Sequence, residues 1–526
     1  MASNPLTAPS GPSPWGAPGG NVVPRGTPMM RNALRLPQSE PARNPMLNPV
    51  VAAPIMPGVQ PARSFNPEGL EDRVPTRVPT SAALTYDPHE AMSEVGRHAM
   101  LPEHFGPHRV RSGYDKARQN VADALSKNAQ MIRDDYPWVN THGLSDHGVL
   151  ERFIEHNHDN IVGLYNRVKD EPWAAKAAHW YWGANRLAGE LAQRFGTTKR
   201  QAAGVIASLS PQKDWDENLS LAERVMDTHR NRQDHAVTPE MLGRMQEYVD
   251  ARKEGPRREA LAQFLHGSEK HGIAPITTAS RYRELTHPMQ KALFARAWDE
   301  VHSPDRGFDI VSPTGERERA TQQLKSGDVT ERTAAWQSVD NVAKAIRILE
   351  RDHKPTLSRA LGLAHKVRNF YNNIVSPDAA AYGRPDITVD THAINVGLLH
   401  PMGGSHKLVT QGLGQAGAAP AFTGSHGLYP LHADAYRRAA ATLSRQLGRR
   451  ILPREVQSVT WEAIRSLFPE EVKDIDPKSG AYQHPVGQTA NALAYGVRHG
   501  FVHPANALGM LINTAGGIRP PRWHKG

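Results

Sequence analysis

An all-α protein is what the sequence predicts, and three observations predict it. Apolar residues recur at spacings of three and four along several stretches, alternating strand patterns are scarce, and no internal repeat is found. At 526 residues the chain exceeds one ordinary core, which points to about two to four domains or one domain with large additions.

Residues 1–85 hold 17 of the 42 prolines, with seven arginines and four acids. Such a segment buries too little apolar surface to offset its ordering entropy, so it reads as a disordered, partly polyproline II arm. Residues 86–228 form the first helical part, with the helical pattern plain from about residue 137. In it, "EPWAAKAAHWYWGANRLAGELAQRFG" is an Ala-rich helical stretch ending at Gly196, a C-cap residue. "TTKRQAAGVIASLS" follows, with Thr197 or Thr198 as N-cap and Pro211 as the stop. Residues 229–330 turn polar and irregular and read as an insertion of short helical pieces. Residues 331–475 resume the helical body: "QSVDNVAKAIRILERDH" sets Val339, Val342, Ala343, Ile346 and Leu349 on one face, and "REVQSVTWEAIRSLF" does the same with Val456, Val459, Ile464 and Leu467. Residues 476–526 are a C-terminal extension with a basic, loop-like end.

Lys+Arg 63 against Asp+Glu 53 gives a formal charge of +10, spread along the chain, which favours polyanionic partners mildly. The absence of cysteine excludes disulfides, thiolate zinc sites and cysteine-held iron–sulfur clusters. Among 26 histidines, "EHNHDN" offers His156 and His158, yet without cysteine or an HExxH spacing neither a metal site nor a cofactor is expected. No apolar run approaches the ~18 residues of a membrane span, and the Pro-rich start lacks a signal-peptide core. The expected location is therefore cytoplasmic or virion-associated, without membrane contact.

The stretch "DITVDTHAINVGLL", residues 386–399, sets Ile387, Thr388 and Val389 before a lone carboxylate, Asp390, and then opens a helix. A carboxylate so placed is either a helix N-cap or a tuned catalytic group, and the two are compatible because capping holds it still. Upstream, "LGLAHKVRNFYNN", residues 361–373, reads as two helices joined by a tight turn at Gly362. The second helix leaves its first N–H groups unpaired, which with the helix dipole makes a phosphate seat. Lys366 stands in that first turn, either as a solvated lysine or as a functional amine.

Together, "GLAHKVRNF" and "ITVDTHAINV", with Lys366 and Asp390 24 positions apart, resemble the helix-hairpin-helix DNA glycosylase superfamily, of which endonuclease III is the familiar member. Val389, Asp390, Thr391, His392 and Val396 match its VDTH segment, and Gly362 and Lys366 its hairpin. "GVIASLSPQKDWDENLSLA" and "SVDNVAKAIRIL" resemble two further helices of that family, in family order. The resemblance spans residues 175–228 and 335–400.

It implies a two-lobed helix-hairpin-helix fold, cleavage of the N-glycosidic bond of a damaged or modified base in DNA, and a duplex with an extruded base as partner. Asp390 takes the place of the electrostatic catalyst, and Lys366 that of the nucleophile which, in some members, also confers AP lyase activity. Gly362, Leu363, Ala364, His365 and Arg368 would contact the DNA backbone. Gln212 would fill the gap left by the extruded base, or serve as a turn residue bonded to backbone. Trp215, Asn218 and His392 are pocket candidates, with Asp216 beside them. The sequence departs from the family at Ala364, which replaces the second hairpin glycine, at Asn395, in place of an arginine, and in a longer spacing between lysine and aspartate. Two other readings stand beside this one: an enzyme processing hypermodified thymine in phage DNA, and a catalytically silent DNA-binding or virion-associated protein. After residue 400, Tyr436, Arg437 and Arg438 could face DNA, whereas Trp461 reads as core.

Overall fold

The computed structural model describes residues 121–136, 138–303, 307–323, 327–361, 365–377, 386–413, 428–476 and 479–524. These residues form eighteen α-helices and two short antiparallel strand pairs, so the chain is essentially all-α. Segment 1–85 and the hairpin residues Gly362, Leu363 and Ala364 lie outside the described residues, as does the His365 side chain. No described helix is long and apolar enough to cross a membrane.

Helix α1 spans Val121–Asp135 and α2 Asp146–Val168, the latter capped by Ser145, whose hydroxyl accepts from the Gly148 N–H. The Ala-rich stretch expected as one helix breaks at His179 into α3 (Ala174–Ala178) and α4 (Trp180–Phe195). The break has a packing cause. Ala174 and Ala177 belong to one hydrophobic core, and Trp180 onward to another. Gly196, at φ 64, closes α4, and Thr198 opens α5 (Lys199–Leu209) in a capping box with Gln201. Helix α6 (Trp215–Asn231) follows.

Segment 229–330 supplies α7 (Pro239–Asp250), α8 (Pro256–His266) and α9 (Pro288–His302). This segment, expected as an insertion on the body, buries Met241, Met245, Leu261, Leu293 and Phe294 in the first core. Strand β1 (Asp309–Val311) pairs with β2 (Arg317–Arg319), and β3 (Thr321–Gln323) with β4 (Val329–Glu331). Then come α10 (Val339–Glu350), α11 (Lys354–Leu361) and α12 (His365–Val375), which complete the first core.

The second core combines α1–α3 with α13 (Thr391–Leu398), α14 (Lys407–Gly412), α15 (Tyr429–Leu447), α16 (Pro453–Leu467), α17 (Pro485–Arg498) and α18 (Pro504–Thr514). Helix α16, expected to pack one side, is buried nearly all round. Its polar side chains are covered by partners: Arg454 donates to the Ser376 carbonyl at 2.7 Å, Arg449 pairs with Glu455 at 2.7 Å, and Trp523 donates to Glu462 at 2.9 Å. Burial pushes the Glu462 carboxyl up to about 7.

Two stability predictions follow from this packing. A Cβ on Gly397 would fall 2.0 Å from Asn157 Oδ1, so Gly397→Ala is expected to cost about 1–3 kcal/mol. At Gly243, inside α7, a Cβ meets nothing within 4 Å, so Gly243→Ala is expected to stabilise by about 0.4–1 kcal/mol. Urea denaturation checks both. In the second core, burial lowers His432 from 6.5 to about 3 while Nδ1 pairs with Asn157 Oδ1 at 3.0 Å. As pH falls below 6.5 the unfolded chain takes up a proton there that the folded chain refuses, so stability is lost toward acid. The stability advantage of the wild type over His432→Gln is expected to shrink between neutral pH and about pH 4; a constant difference would contradict the assignment.

Candidate functional site

The segment before α13 is built to hold one carboxylate still. Ile387 and Val389 are fully buried, and a single hydroxyl pins the backbone between them. Tyr429 Oη donates to the Ile387 carbonyl at 2.7 Å and accepts from the Val389 N–H and from Asn369 Nδ2, each at 3.0 Å. Asp390 is then the N-cap of α13: Oδ1 accepts from the Ala393 N–H at 2.9 Å. Its other oxygen, Oδ2, accepts from Trp461 Nε1 at 3.0 Å. Asp390 is thus the cap of α13 and is fixed at both oxygens.

Asp390 opens onto a cavity of about 50 Å³ at the seam between the two cores. The walls are aromatic: Trp180, Trp215, Phe370 and Trp461, with the Trp180 and Trp215 ring centres 4.5 Å apart. Polar residues share the lining, among them Ser210, Lys213, Thr388, Gln457 and Ser458. Lys366 enters from α12 and donates through Nζ to the Ser210 carbonyl at 3.1 Å. Burial lowers its pKa from the usual 10.5, against the opposing pull of Asp390 and Asp214. Asn218, 1 % exposed, spends Nδ2 on the Ile206 carbonyl at 3.0 Å, which fixes the amide and leaves Oδ1 without a partner. A buried acceptor left unpaired costs stability unless a ligand completes it.

The other expected residues divide. Trp215 and Asn218 line the cavity with Lys366 and Asp390. Gln212 is exposed between the cavity residues Ser210 and Lys213, with φ 56, one of two non-glycine residues in the left-handed region among those described. Asp216 turns away, accepting from the Val311 N–H at 2.8 Å, and burial raises its carboxyl to about 6. His392 does not line the cavity. It packs edge-on against Trp461 at 5.4 Å, and burial holds it neutral, well below 6.5. Arg368 is a correction: only 5 % exposed, it is packed inside rather than displayed to a strand. Tyr436 and Arg438 are corrections too. The first is fully buried and donates to the Ala393 carbonyl; the second pairs with Glu151 and Asp434, each at 2.9 Å. Asn395 donates to the Met402 carbonyl at 3.0 Å.

The sequence reading missed Trp180, Phe370 and above all Trp461, assigned to the core. The signal for Trp461 was weak but present: Gln457, Ser458 and Trp461 share one helical face, and two polar residues amid apolar ones mark it as facing something other than packing. Arg465, one turn further, stands 4.4 Å over the Trp461 ring and 3.8 Å from Asp214, clamping the indole that holds Asp390. His156 and His158 contact Asn160, Asp159 and Thr442, and no group of three metal-ligating side chains converges among the described residues.

A larger cavity, about 300 Å³, opens between α6, α9 and the β1–β2 pair. Its arginines are engaged with acids, as in Arg224–Asp299 at 2.7 Å and Arg317–Glu223 at 2.8 Å, so it reads as an ion-pair seam that fastens the strands to α6.

Residues 149–251 and 317–467 match the profile of a family of unknown function (DUF7178). Every residue lining the aromatic cavity falls within those two segments, whereas α8 and α9 fall between them. No curated protein and no solved structure matches the chain.

Proposed function

We propose that the chain cleaves the N-glycosidic bond of a damaged or modified base in DNA, using Asp390 and Lys366. The observation that carries this reading is their meeting in one aromatic-walled cavity, from segments 24 positions apart in sequence. Each group suits its task. A fixed carboxylate stabilises the positive charge that builds on the sugar as the base departs. An enclosed amine with a lowered pKa keeps a larger neutral, nucleophilic fraction. Nitrogen attack on the anomeric carbon expels the base with the bonding electrons; the base takes up the proton that the amine loses. Opening of the sugar ring then leaves an imine between Lys366 and the DNA, from which strand cleavage can follow.

At about 50 Å³ the cavity is smaller than the ~300 Å³ and more common to ligand pockets, so a base enters only as the walls move apart. Asn218 Oδ1, the unpaired acceptor, favours a base that presents an N–H donor. In this reading Gln212, exposed on a strained turn beside the cavity, fills the duplex where the base has left.

Single-turnover assays on duplexes carrying uracil, oxidised and hypermodified bases are expected to yield abasic sites with the wild type and none with Asp390→Asn; cleavage retained by the variant would remove Asp390 from the mechanism. Borohydride is expected to trap a covalent adduct that Lys366→Ala abolishes, and cleavage without any adduct would make water the nucleophile. Trp461→Phe keeps a ring but deletes the Nε1–H donor to Asp390. It is expected to slow base release about 10- to 100-fold, as befits one hydrogen bond to a charged group, and an unchanged rate would strip Trp461 of its role.

A further inference from the structure

Gln457 lines the aromatic cavity from α16, is 4 % exposed, and has no part in the chemistry assigned to Asp390 and Lys366. Its Oε1 accepts from Tyr181 Oη of α4 at 3.0 Å, a bond that joins the two cores across their seam. The direction of that bond is set by what lies behind it. Asn373 Nδ2 donates to Thr388 Oγ1 at 3.0 Å, and Thr388 is in turn a hydrogen-bond partner of Tyr181. Burial raises the Tyr181 pKa while the Thr388 hydrogen bond lowers it, so the phenol stays protonated and its oxygen accepts from Thr388. Its single proton is left for Gln457. The amide is thereby turned one way round, with Oε1 toward Tyr181 and both Nε2 hydrogens unused among the described residues.

The other amide and hydroxyl side chains of the lining offer no such donor. Ser210 and Ser458 commit their hydroxyl protons to the carbonyls of Ala207 and Glu455, at 2.9 and 3.1 Å. Asn218, tied through Nδ2 to the Ile206 carbonyl, presents Oδ1 as an unpaired acceptor. One oriented donor and one oriented acceptor therefore line a single aromatic-walled cavity. Buried amides left so cost stability unless the edge of a ligand completes them.

We propose that Gln457 is the specificity-determining residue of the site: Nε2 donates to a carbonyl oxygen of the base while Asn218 Oδ1 accepts from the ring N–H beside it. The class so selected is a base with a lactam edge, as on uracil, and the cavity volume of about 50 Å³ favours one ring over two. The inference rests on the glycosylase reading above and gives Gln457 a part in it. The base departs with the bonding electrons, negative charge collects on its carbonyl oxygen, and a donor already fixed there holds the charged oxygen more tightly than the neutral one. Oxygen carries more of that charge than the ring nitrogen of an amidine edge, so the lactam is the better fit. Tyr181 touches no substrate in this scheme and is a positioning residue.

The test separates base reading from chemistry. Duplexes carry uracil or cytosine opposite an abasic site, so that neither is paired, and a 2′-fluoro group on the target nucleotide blocks cleavage. Fluorescence anisotropy with the full chain is expected to show uracil bound about tenfold more tightly, the equivalent of one hydrogen bond. Gln457→Leu is expected to bring the two affinities within about twofold. Tyr181→Phe, a milder change that frees the amide to turn over, is expected to narrow the preference without altering the circular dichroism. A wild type without the preference, or a preference undiminished in either variant, would overturn the proposal. Should the preference hold while the unfluorinated uracil duplex stays uncleaved, the chemistry fails and the base reading stands; cleavage without preference is the reverse.

Discussion

The arrangement depends on one fixed carboxylate. Asp390 is held by the first turn of α13 at one oxygen and by the indole of Trp461 at the other, and neither contact survives without the packing behind it. Tyr429 pins the backbone on its N-terminal side, and Tyr436 and Asn160 bind carbonyls of α13 itself. The absence of a side chain at Gly397 lets α13 lie directly on Asn157 of α2. These polar contacts of the second core converge on one anion, as the proposed electrostatic role would require of a scaffold.

Position at the seam sets the surroundings of the carboxylate. The first core brings Lys366, Trp180, Trp215 and Asn218; the second brings Asp390 and Trp461. Aromatic rings at the junction keep water scarce, which lowers the Lys366 pKa and strengthens the field of Asp390. The strain at Gln212 and the orphaned Asn218 oxygen lie at the same junction, where local costs are tolerable only if a ligand or a function repays them.

Much of this was legible in the sequence where the interaction is local. The Asp390 cap, the Thr198–Gln201 capping box, the Gly196 stop and the apolar face of α10 all follow from residues within a few positions of one another. Lys366 and Asp390, which line one cavity, were singled out by the family resemblance rather than by physics. What could not be read depends on distant partners. Trp461 meets Asp390 across 71 residues, and a tryptophan on an amphipathic helix gives no sign that its N–H will face a carboxylate. The break at His179 is invisible because either half of that stretch favours helix, and only the division between the cores decides it. Arg368, beside the motif, and Arg438, on a later basic helix, illustrate the converse error: their charge suggests contact with DNA, yet Arg368 is buried and Arg438 is paired with acids.

The central claim is spatial: the Lys366 amine and the Asp390 carboxylate share one enclosed site. A ¹³C NMR titration of lysine side chains in the wild type and in Asp390→Asn tests it most directly. Lys366 should titrate below the ordinary 10.5, and lower still in the variant, because the carboxylate that favours its charged form is gone. A Lys366 resonance that titrates with the surface lysines and ignores the loss of Asp390 would contradict the account.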